Sequence, residues 1–200
     1  MKNLNRFIIS PTKKRYNNTV EIGNKELVVN TKIETFQSVS KEAIVIETPI
    51  NIKTNIKSGD RVIVHHNIFR RYYDIRGNEK NGGCYFKDDL FFCDMSQIYL
   101  YGTDELKTNL DYCFVSPVYN RDRWSNLVEE PLVGIMKYSN DYLINKNIKE
   151  GDVVNFSPNS EFEFVIDGEK LYCMKSNDIA ITYEYERNKE KYNPSWAQGC

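Results

Sequence analysis

The side chains best suited to bind a metal ion are the adjacent pair His65 and His66, the two histidines of this 200-residue chain. They follow an apolar run, and neighbouring positions on a strand point to opposite faces of a sheet. We therefore predict one inward and one outward histidine, which could not share an ion. With no third histidine and no cysteine beside the pair, the ligand set is incomplete. The sequence predicts no metal site.

The five cysteines are the next candidates for chemistry, and they form no C-x-x-C pair. Four lie among strand-like residues and the fifth is the last residue: Cys84, Cys93, Cys113, Cys173 and Cys200. This spacing differs from that of zinc sites, whose cysteines are paired. We predict reduced thiols that fill core positions at the first four sites.

Motifs for covalent or phosphate chemistry are absent from the sequence. There is no G-x-S-x-G motif, and no cysteine has a plausible histidine partner. Asn81-Gly82-Gly83 has the composition of a turn and lacks the spacing of a phosphate-binding loop. The sequence predicts a protein that is not an enzyme and needs no cofactor.

One cluster, Phe69-Arg70-Arg71-Tyr72-Tyr73 with Arg76, mixes basic and aromatic residues. It could stack on bases and grip phosphates, or be a hairpin insert with packed aromatics and solvated arginines. It could also contact a neighbouring subunit, because Arg and Tyr are favoured at interface centres. The chain carries 27 basic and 28 acidic side chains, a balance that disfavours nucleic acids and acidic membrane surfaces. Trp196 is a further candidate anchor for a partner.

The sequence contains an internal duplication, in which four segments recur in the same order. The matched segments are Phe7–Pro11 with Phe114–Pro117, Glu42–Ile46 with Pro131–Ile135, Ile56–Val64 with Ile148–Phe156, and Phe92–Leu100 with Tyr172–Ile181. Each match is weak by itself, but four in order indicate two copies of one fold. The third pair carries Gly59-Asp60 and Gly151-Asp152, each predicted to be a turn before a buried strand.

Short apolar runs separated by Gly, Asn, Asp and Pro predict an all-β protein. Asp167-Gly168 between two alternating segments predicts a two-residue β-hairpin turn. We predict a first domain over residues 1–105 with an insert at 65–83, a second over 106–186, and an extension over 187–200. Only residues 184–198 have a composition suited to a helix.

Two segments of the second half resemble the GroES family of co-chaperonins. Ile148-Lys149-Glu150-Gly151-Asp152-Val153-Val154-Asn155-Phe156 is similar to that family's Gly-Asp strand, and Leu171–Ile181 resembles its closing strand. The resemblance covers most of residues 112–185 and reaches residues 4–101 through the repeat. It implies two tandem GroES-like small β-barrels, as in the double-domain co-chaperonins of chloroplasts; divergent co-chaperonins also occur in bacteriophages.

The resemblance implies a homo-oligomeric ring that caps a chaperonin, a GroEL-like ring, and assists protein folding. In that family a loop near the amino end orders on the chaperonin through an apolar tripeptide. The corresponding stretch is Asn17 to Lys32, and its apolar triplet is Leu27-Val28-Val29. The alternative for this triplet is an ordinary strand from Glu26 to Thr31.

Two rival functions remain open from the sequence. The barrels could form a structural ring or adaptor of a virus particle, or the Phe69 to Arg76 cluster could bind nucleic acid. No apolar run approaches the ~18 residues of a membrane span, and the apolar stretch near Met1 is too short for a signal peptide. We expect a cytoplasmic protein, in the host cytoplasm if the chain is viral.

Overall fold

The computed structural model describes residues 3–16, 19–22, 25–28, 39–121 and 127–183. Strands predominate in these residues, which confirms the predicted all-β class. The chain divides into two compact units, Met1–Leu110 and Asp111–Cys200. Among the described residues no helix has the length and apolar character needed to cross a bilayer.

The first unit is built around a seven-stranded antiparallel sheet. Its described strands are β1 (Phe7–Pro11), β2 (Thr19–Ile22), β3 (Lys25–Val28), β4 (Glu42–Glu47), β5 (Arg61–Val64), β6 (Arg71–Tyr73), β7 (Glu79–Asn81), β8 (Tyr85–Lys87), β9 (Leu90–Cys93), β10 (Ile98–Gly102) and β11 (Lys107–Thr108). The sheet order is β11-β10-β5-β4-β1-β9-β8. Two separate hairpins, β2–β3 and β6–β7, stand outside this sheet.

The second unit is a six-stranded sheet with one short helix. Its described strands are β12 (Tyr112–Arg121), β13 (Leu127–Tyr138), β14 (Val153–Phe156), β15 (Phe162–Ile166), β16 (Glu169–Lys175) and β17 (Ile179–Tyr183). The sheet order is β15-β16-β12-β13-β14-β17. Among the described strands of either unit the order does not return to its first strand, so these sheets are not closed barrels.

The two sheets have the same topology. Read from β8 to β10, the sheet order of the first unit is β8-β9-β1-β4-β5-β10, and that of the second unit is β15-β16-β12-β13-β14-β17. At each position the two strands have the same rank along the chain within their own set of six. The bulges also correspond, since the β5–β10 and β14–β17 ladders each skip one residue, at Tyr99 and Ala180. The predicted duplication is therefore present in the fold.

The Gly-Asp turns match in their hydrogen bonds. The Asp60 carboxylate accepts from the Lys57 amide at 2.7 Å, and the Asp152 carboxylate accepts from the Lys149 amide at 2.7 Å. Gly59 and Gly151 have φ of 92° and 93°, in the left-handed region that favours glycine. Their amides donate at 2.8 Å to the carbonyls of Val45 and Met136 respectively. Each turn feeds the strand that was predicted to follow it.

Two of the sequence matches are displaced in register. The β4–β5 and β13–β14 pairings set Glu42 opposite Ile63 and Val133 opposite Asn155, so Glu42 corresponds to Val133 and not to Pro131. In the closing strands, Cys93 pairs with Phe7 of β1, and Met174 pairs with Cys113 at the equivalent position of β12. Cys93 therefore corresponds to Met174, one residue away from the Cys173 of the sequence match. A core position accepts many apolar side chains, which is why the sequence match could slip.

Each unit has its own apolar core. In the first, the aromatic rings of Phe69 and Phe91 meet edge to face at 4.9 Å between centroids, and both side chains are fully buried. In the second, Val154, Met136 and Cys113 are buried together. Cys93, Cys113 and Cys173 are buried free thiols, and Cys84 is half-buried against the first core. The core role predicted for these four cysteines is confirmed.

Local turn chemistry explains several smaller elements. Asp167 and Gly168 have φ of 52° and 80° and join β15 to β16, as predicted. The helix α1 (Asp141–Asn145) was not predicted; it begins where the Asn140 side chain accepts from the Leu143 amide at 3.0 Å. The tail that was expected to hold a helix, residues 184–198, lies outside the described residues.

Candidate functional sites

The segment predicted to bind a chaperonin leaves the first unit as a hairpin. Leu27 and Val28 are the last two residues of β3, which pairs with β2 from Thr19↔Val28 to Ile22↔Lys25. Among the described residues β3 pairs with β2 and with no strand of the main sheet. Val29, the third residue of the triplet, lies outside the described residues.

The two ends of this segment are fastened together on the sheet. Tyr16 and Val39 form an antiparallel bridge, and both side chains are buried, with 4% and 3% of their surface exposed. Just outside the bridge, the Ser40 amide donates to the Arg15 carbonyl at 2.8 Å. Tyr16 and Val39, the described residues on either side of 17–38, therefore lie side by side in the first unit.

The basic and aromatic cluster forms the second hairpin, which we call the insert hairpin (β6, β7 and the turn 74–78). Its base is tied to the segment before β2. Arg15 donates through Nη2 to the Phe69 carbonyl at 2.9 Å and through Nη1 to Asn81 Oδ1 at 2.7 Å. The Tyr16 hydroxyl accepts from the Arg71 amide at 2.6 Å, and the Arg71 guanidinium lies 4.8 Å from the centre of the Tyr16 ring.

The tip of the insert hairpin is fixed by one carboxylate. Asp74 Oδ1 accepts from the amides of Arg76 and Asn78 at 2.9 and 2.8 Å. These bonds to the ionised form hold the pKa of Asp74 below its usual range, with the Asn78 amide as the largest cause. Gly77 turns the chain at φ of 78°. The tip is therefore ordered by its own hydrogen bonds.

The predicted interface residues of this cluster divide into two groups. Phe69 is fully buried and serves the core, so its side chain has no surface to offer a partner. Tyr72 and Tyr73 are each about half exposed, and Ile75 at the tip is fully exposed. Arg70 and Arg71 are partly covered. Sequence reasoning did not single out Ile75, although an isoleucine inside a polar turn was a visible signal. Trp196, the remaining predicted contact, lies outside the described residues.

The histidine pair does not lie on a strand, and the prediction of opposite faces was wrong. β5 ends at Val64, and the chain enters a 3₁₀ turn, His66–Ile68, capped by His65 Nδ1, which accepts from the Asn67 amide at 3.1 Å. The two rings stack with centroids 4.4 Å apart. Burial, then the charges of His65, Lys41 and Arg70, lower the pKa of His66 to about 4.

In the described part of the chain no three His, Cys, Asp or Glu side chains are placed to hold a metal ion.

The cysteines are placed as structural groups. Burial raises the pKa of Cys113 to about 12 and raises those of Cys93 and Cys173 above their ordinary value. A nucleophilic or metal-binding cysteine needs the thiolate. Neutral thiols of this kind offer neither chemistry at physiological pH.

The outer edges of β10 and β17 differ, although the strands correspond. In the first unit β11 pairs with β10 at Leu100↔Thr108. The next residue, Asn109, is buried and donates from Nδ2 to the carbonyls of Met95 and Ile98, each at 2.8 Å. Within the described residues no strand covers β17, the counterpart of β10.

The sequence itself offers no family assignment by comparison. No protein-family model matches it, and no curated protein matches it significantly.

Proposed function

We propose that this protein is a co-chaperonin, built from two tandem GroES-like units, that caps a chaperonin ring and assists protein folding. The observation that carries the proposal is the repeated strand order with matched Gly-Asp turns, found at the positions where the sequence resembles that family. The ring-capping activity, the chaperonin partner and the likeness of each unit to the GroES fold all belong to the proposal.

The contact with the chaperonin is assigned to the β2–β3 segment through Leu27, Val28 and Val29. Support comes from its attachment, because a hairpin outside the main sheet can engage a partner without unfolding the core. The bridge between Tyr16 and Val39 sets the two flanks of the segment side by side. A segment that orders on binding has lower affinity, which suits a lid that must come off again.

Assembly of the ring is assigned to a head-to-tail contact between copies. The strand registers make Phe7 equivalent to Cys113, so Asn3-Leu4 is equivalent to Asn109-Leu110. Asn109 docks on the edge of β10, and we propose that Asn3 of one copy docks in the same way on β17 of the next. The acceptors would be the carbonyls of Ser176 and Ile179, which are equivalent to those of Met95 and Ile98.

The amide of Asn3 supports this assignment. Its Nδ2 is shielded from solvent and has no hydrogen-bond partner among the described residues. A buried donor without an acceptor costs roughly 1–3 kcal/mol, and a rotation of the Asn3 side chain outward to the β17 carbonyls of the next copy would satisfy it. A contact between two different surfaces closes into a ring or continues as a filament. The mass of the assembly in solution distinguishes these outcomes, and Asn3→Ala should lower that mass.

The function is tested by binding to an immobilised GroEL-like chaperonin with and without ATP. The intact chain should be retained only with nucleotide, and changing Leu27, Val28 and Val29 together to Ser should abolish retention. A matched control changes three exposed apolar residues elsewhere, Ile50, Leu110 and Ile144, to Ser and should bind normally. Equal binding of both variants would remove the β2–β3 segment from the proposal.

A structural ring of a virus particle is the second candidate, because a β17 edge that no described strand covers suits any closed assembly of copies. This candidate would be supported if the protein were found in purified virus particles and bound no chaperonin in any nucleotide state.

A further inference from the structure

The insert hairpin belongs to the first unit alone. Residues 65–84 separate β5 from β8, whereas residues 157–161 join their counterparts β14 and β15. The second unit completes the same strand order with this short connection. The hairpin is therefore not needed to form the sheet, and its well-fixed base and tip call for another role.

The tip of the hairpin presents an exposed apolar side chain among basic ones. Ile75 is fully exposed at the tip, with Tyr72 and Tyr73 about half exposed behind it. Residues 70–81 hold four basic and two acidic side chains. The acidic pair is already engaged, since Asp74 orders the tip and Glu79 pairs with Arg71. The exposed charges left for a partner are those of Arg76 and Lys80.

The second unit carries a surface of the opposite character, which we call the acidic edge (residues 161–169). It contains four acidic residues and no basic one, and two of them are already paired, Glu163 with Lys170 and Glu169 with Lys137. Phe162 and Val165 are exposed there over 69% and 66% of their surface. β15 pairs with β16 on one side, and in the described residues no strand pairs with it on the other. An edge strand with exposed apolar groups is a ready contact for another chain.

The counterpart strand in the first unit lacks these properties. β8 has three residues and pairs with β9 at only two positions, on either side of an irregularity. Lys87 is the last residue of β8 and the Asp88-Asp89 turn follows it, so both signs of charge are present. Short, charged strands are the usual means of protecting a sheet edge. The acidic edge is therefore a distinctive feature of the second unit.

We propose that the insert hairpin of one copy docks on the acidic edge of a second copy. Arg76 and Lys80 meet the carboxylates of Glu161 and Glu163, while Ile75 packs against Phe162 or Val165. Each surface is exposed on its own unit, and complementary charge and apolar area select a second copy as the occupant. The inference shares with the proposed function only the association of copies, and it needs no chaperonin.

The experiment uses two charge-reversed forms of the full chain, followed by sedimentation velocity. One form carries Arg76→Glu with Lys80→Glu, and the other carries Glu161→Lys with Glu163→Lys. Each form by itself should self-associate at least about tenfold more weakly than the original chain. An equal mixture should recover association, because the reversed hairpin fits the reversed edge and the two unchanged surfaces fit each other. Ile75→Ser, which leaves every charge in place, should also weaken association.

Recovery in the mixture cannot come from misfolded protein, so it separates loss of contact from loss of fold. Failure of the mixture to recover, with both forms melting cooperatively, would overturn the proposal. So would unchanged association of the forms taken singly. If the hairpin variants associate normally but lose binding to a chaperonin or to single-stranded DNA, the hairpin's partner is that molecule and the second copy is excluded. Asn3→Ala tests the other contact separately, so loss of one leaves the other measurable.

Discussion

Replacing Gly59 and Gly151 by alanine, one at a time, is expected to destabilise each unit by a similar amount. A Cβ added at either position meets nothing within 4 Å, so the cost arises from the backbone alone. At φ of 92° and 93° an L-residue is strained by about 1–2 kcal/mol. For units of roughly 100 residues this corresponds to a fall in Tm of about 4–16 °C.

Gly83→Ala is the matched control for this pair. An added Cβ there also meets nothing within 4 Å, but its φ is not in the positive range. Substitution should therefore be neutral, or stabilising by about 0.4–1 kcal/mol through the unfolded state. Urea unfolding followed by tyrosine fluorescence and circular dichroism measures all three variants. Equal effects of Gly59→Ala and Gly83→Ala, or effects at Gly59 and Gly151 that differ several-fold, would refute the reasoning.

Three further outcomes are expected. Asn109→Ala should lower the free energy of unfolding by about 2 kcal/mol, because two buried 2.8 Å bonds are lost; a urea titration in which Asn109→Ala matches the original chain would contradict this. Gly134→Ala should cost about 1–3 kcal/mol in the same assay, since its Cβ would lie 2.9 Å from both Cβ and Cγ2 of Val115; Val115→Ala should not remove that cost, because its Cβ stays, and a Gly134→Ala chain as stable as the original would contradict the close approach. His66 has a folded pKa near 4 against 6.5 unfolded, so the unfolded state binds its proton first. Stability should fall as pH drops from 6.5 to 4, by about 1 kcal/mol after solvent screening, and a His66→Gln chain with an unchanged profile would rule His66 out.

The parts of the fold that follow from local backbone chemistry were predictable from the sequence. Gly59 and Gly151 mark positive φ before a buried strand, and Asp167-Gly168 fits the turn of a two-residue hairpin. These residue types are selected by backbone geometry, so their meaning does not depend on the rest of the molecule. The two Gly-Asp turns also indicated which segments of the two halves correspond.

Features set by tertiary contacts were not predictable. The sequence did not reveal that the chain turns after Val64, where a histidine caps a 3₁₀ turn and stacks on its neighbour. It did not separate buried Phe69 from exposed Ile75 within one cluster, because both lie among basic and polar residues. The two register slips arose in the same way, since the core accepts Ala43 in one unit and Gly134 in the other.

The proposed sites differ in how far the sequence pointed to them. The triplet at Leu27 was located by family resemblance, and its attachment through Tyr16 and Val39 needed the structure. The equivalence of Asn3 and Asn109 was hidden in the sequence, because a two-residue match carries no weight without the strand registers that align it. The acidic edge needed both the charge pattern and the exposure of Phe162.

Electron microscopy of a GroEL-like chaperonin mixed with this protein tests the central claim most directly. With ATP present we expect added density over the end of the chaperonin ring, and without nucleotide we expect bare rings. The variant with Ser at positions 27, 28 and 29 should leave the rings bare in both conditions. Bare rings with the folded, unaltered protein in every nucleotide state would contradict the account.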